Sequence, residues 1–199
     1  MNNTYFILRH GETPYQLKKE KIIYPWPEPS PILLTENGKK QIKNAAKKLK
    51  KKNINLIYSS DISRARQTAE IISEILGINP NFEPLLREIN LGVYRGKPKT
   101  EYERDFRELK KQFFQAPPKG ESVKQCQERV TRFIKQLERK HRNKNILIIS
   151  HGLPLLLLEG TLKGFTDNDF LNGKAKSFKL KTGEFRKISV PNNKNNYGN

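Results

Sequence analysis

Short apolar runs alternate along the chain with longer stretches in which apolar residues recur at helical spacing. Two of the runs, residues 5–8 and 146–149, are continuous, prone to β structure and too short for a helix, which is typical of buried strands. Further strands are predicted over residues 54–59 and near residues 81–86. Because predicted helices separate these strands, we expect an α/β fold: a three-layer sandwich with a mostly parallel central sheet and helices on both faces.

Apolar residues in the predicted helices are three or four positions apart, which gives each helix one buried face. Pro154 lies near the start of the last helix, where proline is tolerated. The predicted helices are one opening at Thr35 with Ile42, Ala45, Ala46 and Leu49 buried, one from about Arg64 to Leu76 that is capped by Asp61 or Ser63 and ended by Gly77, one over residues 100–115 with Tyr102, Phe106, Leu109 and Phe113 on one side, one from Ser122 to about Arg142, and one through residues 155–162.

Two stretches have no such period. Residues 14–34 are rich in proline, which restricts its own backbone and that of the preceding residue, so we expect an ordered loop rather than a helix. Trp26 in this loop is expected either to pack beneath it or to line a pocket. Residues 87–96 contain two glycines and are also predicted to be a loop.

The end of the chain is predicted to contain a hairpin over residues 175–190 that turns at residues 182–183. At 199 residues the chain fits one domain and is long enough to bury a core. We interpret residues 1–190 as a single domain and residues 191–199 as a flexible polar tail.

The formal net charge of +19 has two interpretations. A basic surface attracts anions such as phosphate esters, nucleic acid or anionic lipid. Alternatively, the lysines only solvate helix faces. They are scattered and lack interleaved aromatic residues, zinc-finger spacing or an RNA-binding signature. We therefore favour solvated helix faces and do not expect a nucleic acid partner.

The number of cysteines and the lengths of the apolar runs indicate the cellular compartment in which we expect the protein. The single cysteine, Cys126, excludes an internal disulfide framework, and its place on a predicted buried face indicates a small hydrophobe rather than a reactive thiol. No run approaches the ~20 apolar residues of a membrane span. The first strand begins at once, so we expect no signal peptide and no membrane partner. The expected location is cytoplasmic.

Two histidines follow predicted strands directly and precede a glycine. They are His10, before Gly11, and His151, before Gly152. Ligands of open α/β sheets bind at the carboxyl ends of the strands, and glycine lets the backbone approach a ligand closely. We therefore expect both histidines to lie in one site.

The segment around the first histidine resembles a known signature. Residues 8–13 have the sequence Leu-Arg-His-Gly-Glu-Thr, as in the phosphoglycerate mutase-like branch of the histidine phosphatase superfamily. Arg-His-Gly alone would be a weak match, but other segments follow in the family's order and the resemblance spans residues 5 to about 165. These segments are residues 34–41 at a helix opening, 58–69 around an arginine, 86–96 in an acidic loop, 120–122 and 150–152.

The resemblance implies phosphoryl transfer, and residue chemistry supports the catalytic roles. A phosphoryl group in transfer carries negative charge on its oxygens, so its site needs several cationic donors. We expect Arg9 and Arg64 to bind oxygens through their planar guanidinium groups, and His151 to act as a cationic donor. A neutral His10 can attack phosphorus and form a phosphohistidine. Glu88 is the expected general acid and base.

Five further residues are expected to contact the substrate. Backbone N–H groups at helix starts, at Gly11 and Thr13 and at Gly152 and Leu153, can bind phosphate oxygens. Gln16 stands where mutases of the family have a phosphate-contacting asparagine, and it can donate the same bond with one more methylene. No His, Cys and carboxylate cluster has metal spacing, so we expect no metal and no cofactor.

Several neighbouring groups have other interpretations. Glu12 and Glu121 also lie near motif glycines and are alternative acids. Arg66 and Arg87 are expected at the surface or behind the site. His141, among lysines and arginines at a helix end, is expected to be solvated.

The reaction is expected to be hydrolysis. Between residues 96 and 120 the chain lacks the adjacent arginine pair and the longer insert that, in the mutases, hold the substrate's carboxylate and close the site. Arg104 and Arg107 would substitute only if their helix faces the pocket. A site open to water should hydrolyse its phosphoenzyme, which favours a phosphatase acting on a small phosphorylated metabolite. A phosphoglycerate mutase and a non-catalytic protein that binds a phospho-ligand or nucleic acid remain alternatives, and the oligomeric state, monomer or homodimer, stays open.

Overall fold

A computed structural model describes residues 2–189, so the predicted tail at residues 191–199 lies outside the described residues. Within that range, five strands form one sheet in the order β3-β2-β4-β1-β5. Neighbouring strands are parallel except for β1 and β5, which are antiparallel. The strands are β1 (Thr4–Arg9), β2 (Leu56–Ser59), β3 (Pro80–Phe82), β4 (Asn145–Ser150) and β5 (Phe185–Lys187).

Helices connect these strands and cover the sheet. No helix among residues 2–189 is both long enough and apolar enough to cross a membrane. The helices are α1 (Pro14–Leu17), α2 (Glu36–Leu49), α3 (Ser63–Leu76), α4 (Lys99–Asp105), α5 (Leu109–Phe114), α6 (Val123–Lys140), α7 (Gly152–Leu162) and α8 (Asp167–Leu171), with short 3-10 turns at Lys50–Lys52, Pro84–Leu86, Gly92–Tyr94 and Lys174–Phe178.

The sheet is buried on both faces because alternate residues of each strand point to opposite sides. In β1, Tyr5 and Ile7 belong to the core that includes the apolar faces of α6 and α7. Phe6 and Leu8 belong to the second core, formed with α2 and α3. This arrangement confirms the predicted three-layer α/β fold with helices on both faces of a mostly parallel sheet.

The expected cap of α3 is wrong. The helix begins after Ile62, which makes no side-chain capping bond. Asp61 instead accepts a hydrogen bond from Arg87, at 2.7 Å from its Nε. The Ser63 hydroxyl donates to the carboxylate of Glu28. Both candidate caps are therefore used to hold loops near the start of α3.

The single helix predicted over residues 100–115 is two helices, α4 and α5. The chain leaves the helical conformation at Phe106, where the Gln112 side chain donates to the freed carbonyl at 2.6 Å. This break turns Leu109 out of the expected apolar face, and 51% of it is exposed. The helical spacing holds on each side of Phe106. Between the two helices, a side chain supplies the hydrogen bond that the backbone no longer makes.

The predicted hairpin is also wrong. Its first half forms the 3-10 turn at Lys174–Phe178, and only the second half forms a strand, which pairs with the free edge of β1. The predicted turn exists. Gly183 has a φ of 71°, and its N–H donates to the carbonyls of Arg9 and His10 at 3.2 and 3.1 Å. The turn thus fixes the end of β1, while residue 190 lies outside the described residues.

Candidate active site

The two histidines leave neighbouring parallel strands side by side. Arg9 in β1 lies opposite Ser150 in β4, so the next residues, His10 and His151, are adjacent. Their ring centroids are 5.2 Å apart, and both side chains are buried. Strand register therefore brings together the two predicted residues from distant parts of the sequence.

The hydrogen bonds of His10 define its tautomer. Nδ1 lies 2.8 Å from the carbonyl oxygen of Gly11, and because a carbonyl only accepts, Nδ1 carries the proton. Nε2 then holds the lone pair of the neutral ring. The Nε–H of Arg64 donates to this lone pair at 3.3 Å.

Burial is the main cause that lowers the pKa of His10 well below its ordinary value, and the charges of Arg64 and Arg9 lower it further. The ring is therefore neutral at neutral pH. A neutral imidazole with an oriented lone pair is the nucleophilic form of histidine.

His151 is held by its other ring nitrogen. Nε2 lies 2.9 Å from the Ser60 hydroxyl, whereas Nδ1 is buried without a partner among the described residues. Burial, followed by the charge of Arg64, lowers the pKa of His151 well below its ordinary value. The surroundings of His151 thus disfavour the cationic ring that we expected from the sequence. An anionic ligand beside the ring would have to raise its pKa again for the ring to be charged.

Arg9 lies against the start of α7. Its Nη1 donates to the Leu180 carbonyl at 2.9 Å, while its Nε is buried with no partner in the described part of the chain. A Cβ atom at Gly152 would lie 3.5 Å from the Cζ of Arg9. Gly152 and Leu153 are the first residues of α7, whose initial N–H groups have no acceptor within the helix. A guanidinium and a helix N-terminus therefore meet beside the histidines.

Arg64, in the first turn of α3, is the most enclosed of the cationic groups. Its Nη1 forms an ion pair with Glu28 at 3.0 Å, and the two side chains are only 2% and 5% exposed. The Tyr24 ring stacks on its guanidinium, 3.8 Å from Cζ to the ring centroid. Burial lowers the pKa of Arg64, and the neighbouring Tyr24, Glu88 and Glu28 oppose that effect.

Tyr24 and Glu28 are site residues that the sequence did not reveal. Both come from the proline-rich loop, which was expected to be ordered but was assigned no chemistry. Trp26, between them, stacks on the Arg87 guanidinium, 4.8 Å from Cζ to the ring centroid. In the sequence, Glu28 is a single acidic residue among prolines. This segment has no periodicity, so the sequence could not indicate which residue Glu28 contacts.

Glu88 is half-buried in the loop after Leu86, and one carboxylate oxygen accepts the N–H of Ile89 at 3.0 Å. Its charge is near enough to Arg64 to raise the pKa of that group. The predicted acid is therefore electrostatically coupled to the arginine that contacts His10.

An ion pair behind the loop fixes its backbone. Arg129 in α6 donates to both oxygens of Glu121, at 2.8 and 2.9 Å, and to the carbonyl of Glu88 at 3.2 Å. Glu121 also accepts the N–H of Asn90 at 2.9 Å. Glu121, one of the alternative acids, is thus a loop anchor, and Arg129 is a positioning residue that the sequence did not single out.

The remaining predicted contacts have protein partners. The N–H of Gly11 donates to the Thr68 hydroxyl at 3.2 Å, so Gly11 orients His10 through its carbonyl rather than offering a free donor. The hydroxyl of Thr13 and the side-chain amide of Gln16 each lie 2.6 Å from the Tyr24 hydroxyl. The N–H and the hydroxyl of Thr13 also donate to Oε1 of Gln16, at 2.7 and 2.9 Å, so Tyr24 covers the donor of Gln16 and Gln16 occupies the donors of Thr13.

Other groups weighed from the sequence have structural roles. Glu12, the other alternative acid, accepts from the Thr35 hydroxyl at 2.7 Å. Arg66 stacks on Phe82, 3.7 Å from its centroid. His141 is not simply solvated, since its Nε2 lies 2.9 Å from the Tyr58 hydroxyl.

The two arginines considered for a substrate carboxylate lie in α4 and just after it. Arg104 is exposed and its Nε donates to Asp105 at 2.9 Å, and Arg107 is exposed as well. Among residues 2–189, no three His, Cys, Asp or Glu side chains are grouped as ligands of a metal ion would be. The site thus offers a neutral nucleophilic ring, several cationic or N–H donors, and two carboxylates, those of Glu28 and Glu88, that are coupled to Arg64.

Comparisons with known proteins give a matching family and similar sequences. A family model described as "Histidine phosphatase superfamily (branch 1)" matches residues 5–189. The probable phosphoglycerate mutase GpmB of Escherichia coli O1:K1 is 31% identical over 164 residues, which cover 80% of this chain and 74% of that protein.

Solved structures give similar folds. The alpha-ribazole phosphatase from Shigella flexneri superposes with a TM-score of 0.77 at 25% identity, covering 95% of this chain and 91% of that one. Bacillus stearothermophilus YhfR has a TM-score of 0.77 at 27% identity, covering 96% and 92%. These relatives are named as a mutase in one case and a phosphatase in another, so the comparisons alone do not choose between the two reactions.

Proposed function

The chain belongs to the histidine phosphatase superfamily (branch 1), and we propose that it hydrolyses small phosphomonoesters through a phosphohistidine on His10. The observation that carries the proposal is the fixed tautomer of His10. The Gly11 carbonyl holds the Nδ1 proton, so Nε2 carries the lone pair, and burial keeps the ring neutral by lowering its pKa. This ring can attack phosphorus without first losing a proton.

In the first step, a bond forms between Nε2 of His10 and phosphorus while the bond from phosphorus to the ester oxygen breaks. Glu88 gives its proton to the leaving oxygen, so the alcohol departs neutral. Arg9 and Arg64 bind the phosphoryl oxygens, where negative charge is concentrated in the transition state.

Two buried nitrogens without partners in the described chain support a phosphate site. They are Nε of Arg9 and Nδ1 of His151, and an anionic oxygen would satisfy both. The Ser60 hydroxyl accepts from the N–H of Ile62 at 3.3 Å and can give its own proton to Nε2 of His151. The Nδ1–H of a neutral His151 is then a donor for phosphate, and a bound dianion also favours the charged ring.

In the second step, water attacks the phosphohistidine. The carboxylate of Glu88 takes a proton from the water, the bond from nitrogen to phosphorus breaks, and inorganic phosphate forms. His10 returns to its neutral tautomer and Glu88 to its protonated form, so the cycle balances with these two residues and one water molecule.

Backbone donors complete the proposed site. The N–H groups of Gly152 and Leu153 at the start of α7 bind phosphate oxygens. Gln16 becomes a substrate contact when the Tyr24 hydroxyl releases its amide, and Thr13, whose N–H and hydroxyl donate to Oε1 of Gln16, becomes one when Gln16 turns to the substrate.

Hydrolysis is preferred to mutase activity on the basis of Arg104 and Arg107. Both are exposed, and Arg104 already binds Asp105, so neither is a prepared receptor for the carboxylate of phosphoglycerate. The 31% identity to GpmB keeps phosphoglycerate mutase as the second candidate. We further propose a cytoplasmic protein whose partner is a small phosphorylated metabolite rather than nucleic acid.

Phosphorus NMR tests the reaction class. The protein is mixed with 3-phosphoglycerate, a trace of bisphosphoglycerate and an aryl phosphate in the presence of a chelator. Growth of the inorganic phosphate signal supports a phosphatase. Appearance of 2-phosphoglycerate with little free phosphate would instead establish the mutase, and an unchanged spectrum would leave a narrow-specificity enzyme or a binding protein.

A further inference from the structure

The carboxylate of Glu28 occupies a position that suits a phosphate. One oxygen pairs with Nη1 of Arg64 at 3.0 Å, and the other accepts from the Ser63 hydroxyl and from the N–H of Ile32 at 3.4 Å. Arginine binds carboxylates and phosphates through the same fork of donors. The loop therefore brings its own anion to an arginine that the proposed function assigns to the substrate.

A phosphate and this carboxylate oppose each other. Both side chains of the Glu28–Arg64 pair are almost fully buried, so water does little to screen a second anion placed at Arg64. The Tyr24 ring, from the same loop, covers the guanidinium at 3.8 Å. A phosphate that takes Nη1 of Arg64 as one of its donors must displace the Glu28 carboxylate, and the Tyr24 ring, which comes from the same loop, has to shift with it.

Resting on the proposed function, we propose that Glu28 is an internal competitor for the phosphate site and that residues 24–28 form a lid. Substrate phosphate displaces the Glu28 carboxylate from Arg64 and opens the lid. After the phosphohistidine is hydrolysed, Glu28 returns to Arg64 and helps to expel inorganic phosphate. Release of the Tyr24 hydroxyl also frees the side-chain amide of Gln16 to donate to the substrate.

The competition has a measurable cost. If the competent open form is only a fraction of the protein, the apparent dissociation constant for phosphate is the intrinsic one divided by that fraction. Removing the charge of Glu28 weakens a charge-assisted hydrogen bond, so we expect Glu28→Gln to bind inorganic phosphate about tenfold more tightly. The alternative role, in which Glu28 positions Arg64 for catalysis, predicts weaker binding in the same variant.

Calorimetric titration with inorganic phosphate tests the proposal on the wild-type protein, Glu28→Gln and Glu74→Gln. Glu74 is an exposed acid on α3, the helix that carries Arg64, and lies about 15 Å from Arg64 along the helix axis. Its variant therefore controls for the change in net charge. Tighter binding in Glu28→Gln alone supports the competitor. Equal or weaker binding in Glu28→Gln would overturn it while leaving the phosphatase proposal intact, whereas no phosphate binding by any of the three proteins would overturn both.

The single tryptophan supplies a second readout that needs no variant. Trp26 lies within the lid and stacks on the Arg87 guanidinium, which Asp61 holds in place. Phosphate binding to wild-type protein should therefore change the Trp26 emission with the same midpoint as the calorimetric titration. Calorimetric binding without any change in Trp26 emission would contradict lid opening.

Discussion

The assignment of Glu88 as general acid predicts a dependence on the leaving group. In Glu88→Gln, the glutamine has nearly the same size, and its amide oxygen can still accept the Ile89 N–H that the carboxylate accepts at 3.0 Å. The change therefore removes proton transfer while keeping the loop in place. A nitrophenolate leaves phosphorus without a proton, whereas an alkoxide does not.

The size of the effect follows from the role. General acid catalysis contributes about 10²- to 10⁴-fold, which corresponds to about 3–5 kcal/mol of transition-state stabilisation. The first turnover of an alkyl phosphate should slow by that factor in Glu88→Gln. The first turnover of nitrophenyl phosphate should change by less than about tenfold, because only the electrostatic coupling of Glu88 to Arg64 is lost.

Quenched-flow measurement of the first turnover separates the two steps. Steady-state rates would not, because Glu88 also activates water in the second step and both substrates share that step. Glu121→Gln is the matched control. It weakens the ion pair with Arg129 that anchors the loop, so it should slow both substrates by similar, smaller factors. Equal losses on both substrates in Glu88→Gln would refute the general acid and reduce Glu88 to a binding residue.

The other predictions concern the donors, the buried rings and the turn that fixes β1. Arg64→Ala should lower kcat/KM for aryl phosphates about a hundredfold or more, as for loss of one transition-state donor, and a loss below tenfold would remove Arg64 from the transition state. Because the folded-state pKa values of His10 and His151 are lowered, the unfolded state binds the extra protons below about pH 6.5. The free energy of unfolding should therefore fall as the pH drops below 6.5, by about 1.4 kcal/mol per pH unit for each ring. In denaturant titrations, His151→Asn should make this dependence on pH less steep. An unchanged dependence would contradict a neutral, buried His151 ring. Gly183→Ala should cost about 1–2 kcal/mol, because φ is positive there and a Cβ would lie 2.6 Å from the Cβ of Gln41, and unchanged stability in thermal melts would contradict the role of this turn.

The sequence predicted those parts of the molecule that depend on the local spacing of apolar residues. Alternating apolar runs gave the strands, and helical spacing gave the buried faces of α2, α3 and α6. His10 and His151 could be placed together because each follows a buried strand, and carboxyl ends of parallel strands meet at one edge of the sheet. Arg9, the last residue of β1, lies beside them for the same reason, whereas Arg64 was assigned to the site by the family resemblance and contacts His10 from the first turn of α3.

The parts that were missed depend on contacts between distant residues. Glu28 reaches Arg64 from a loop whose prolines allow no period, so no local pattern could indicate that ion pair. Asp61 was expected to cap a helix, but Arg87 offered it a charged partner instead. The strand at the end of the chain paired with β1 rather than with its sequence neighbour, because the free edge of β1 was available.

The central claim, that His10 carries the phosphoryl group, is tested most directly by trapping the intermediate. Glu88→Gln protein is mixed with nitrophenyl phosphate, quenched in alkali, which preserves phosphohistidine, and digested for mass spectrometry, with His10→Gln in the same background as the control. The account predicts one phosphate on the peptide that contains His10 and none in the control. Phosphate on the His151 peptide, or turnover without any phosphoenzyme in the burst phase, would contradict it.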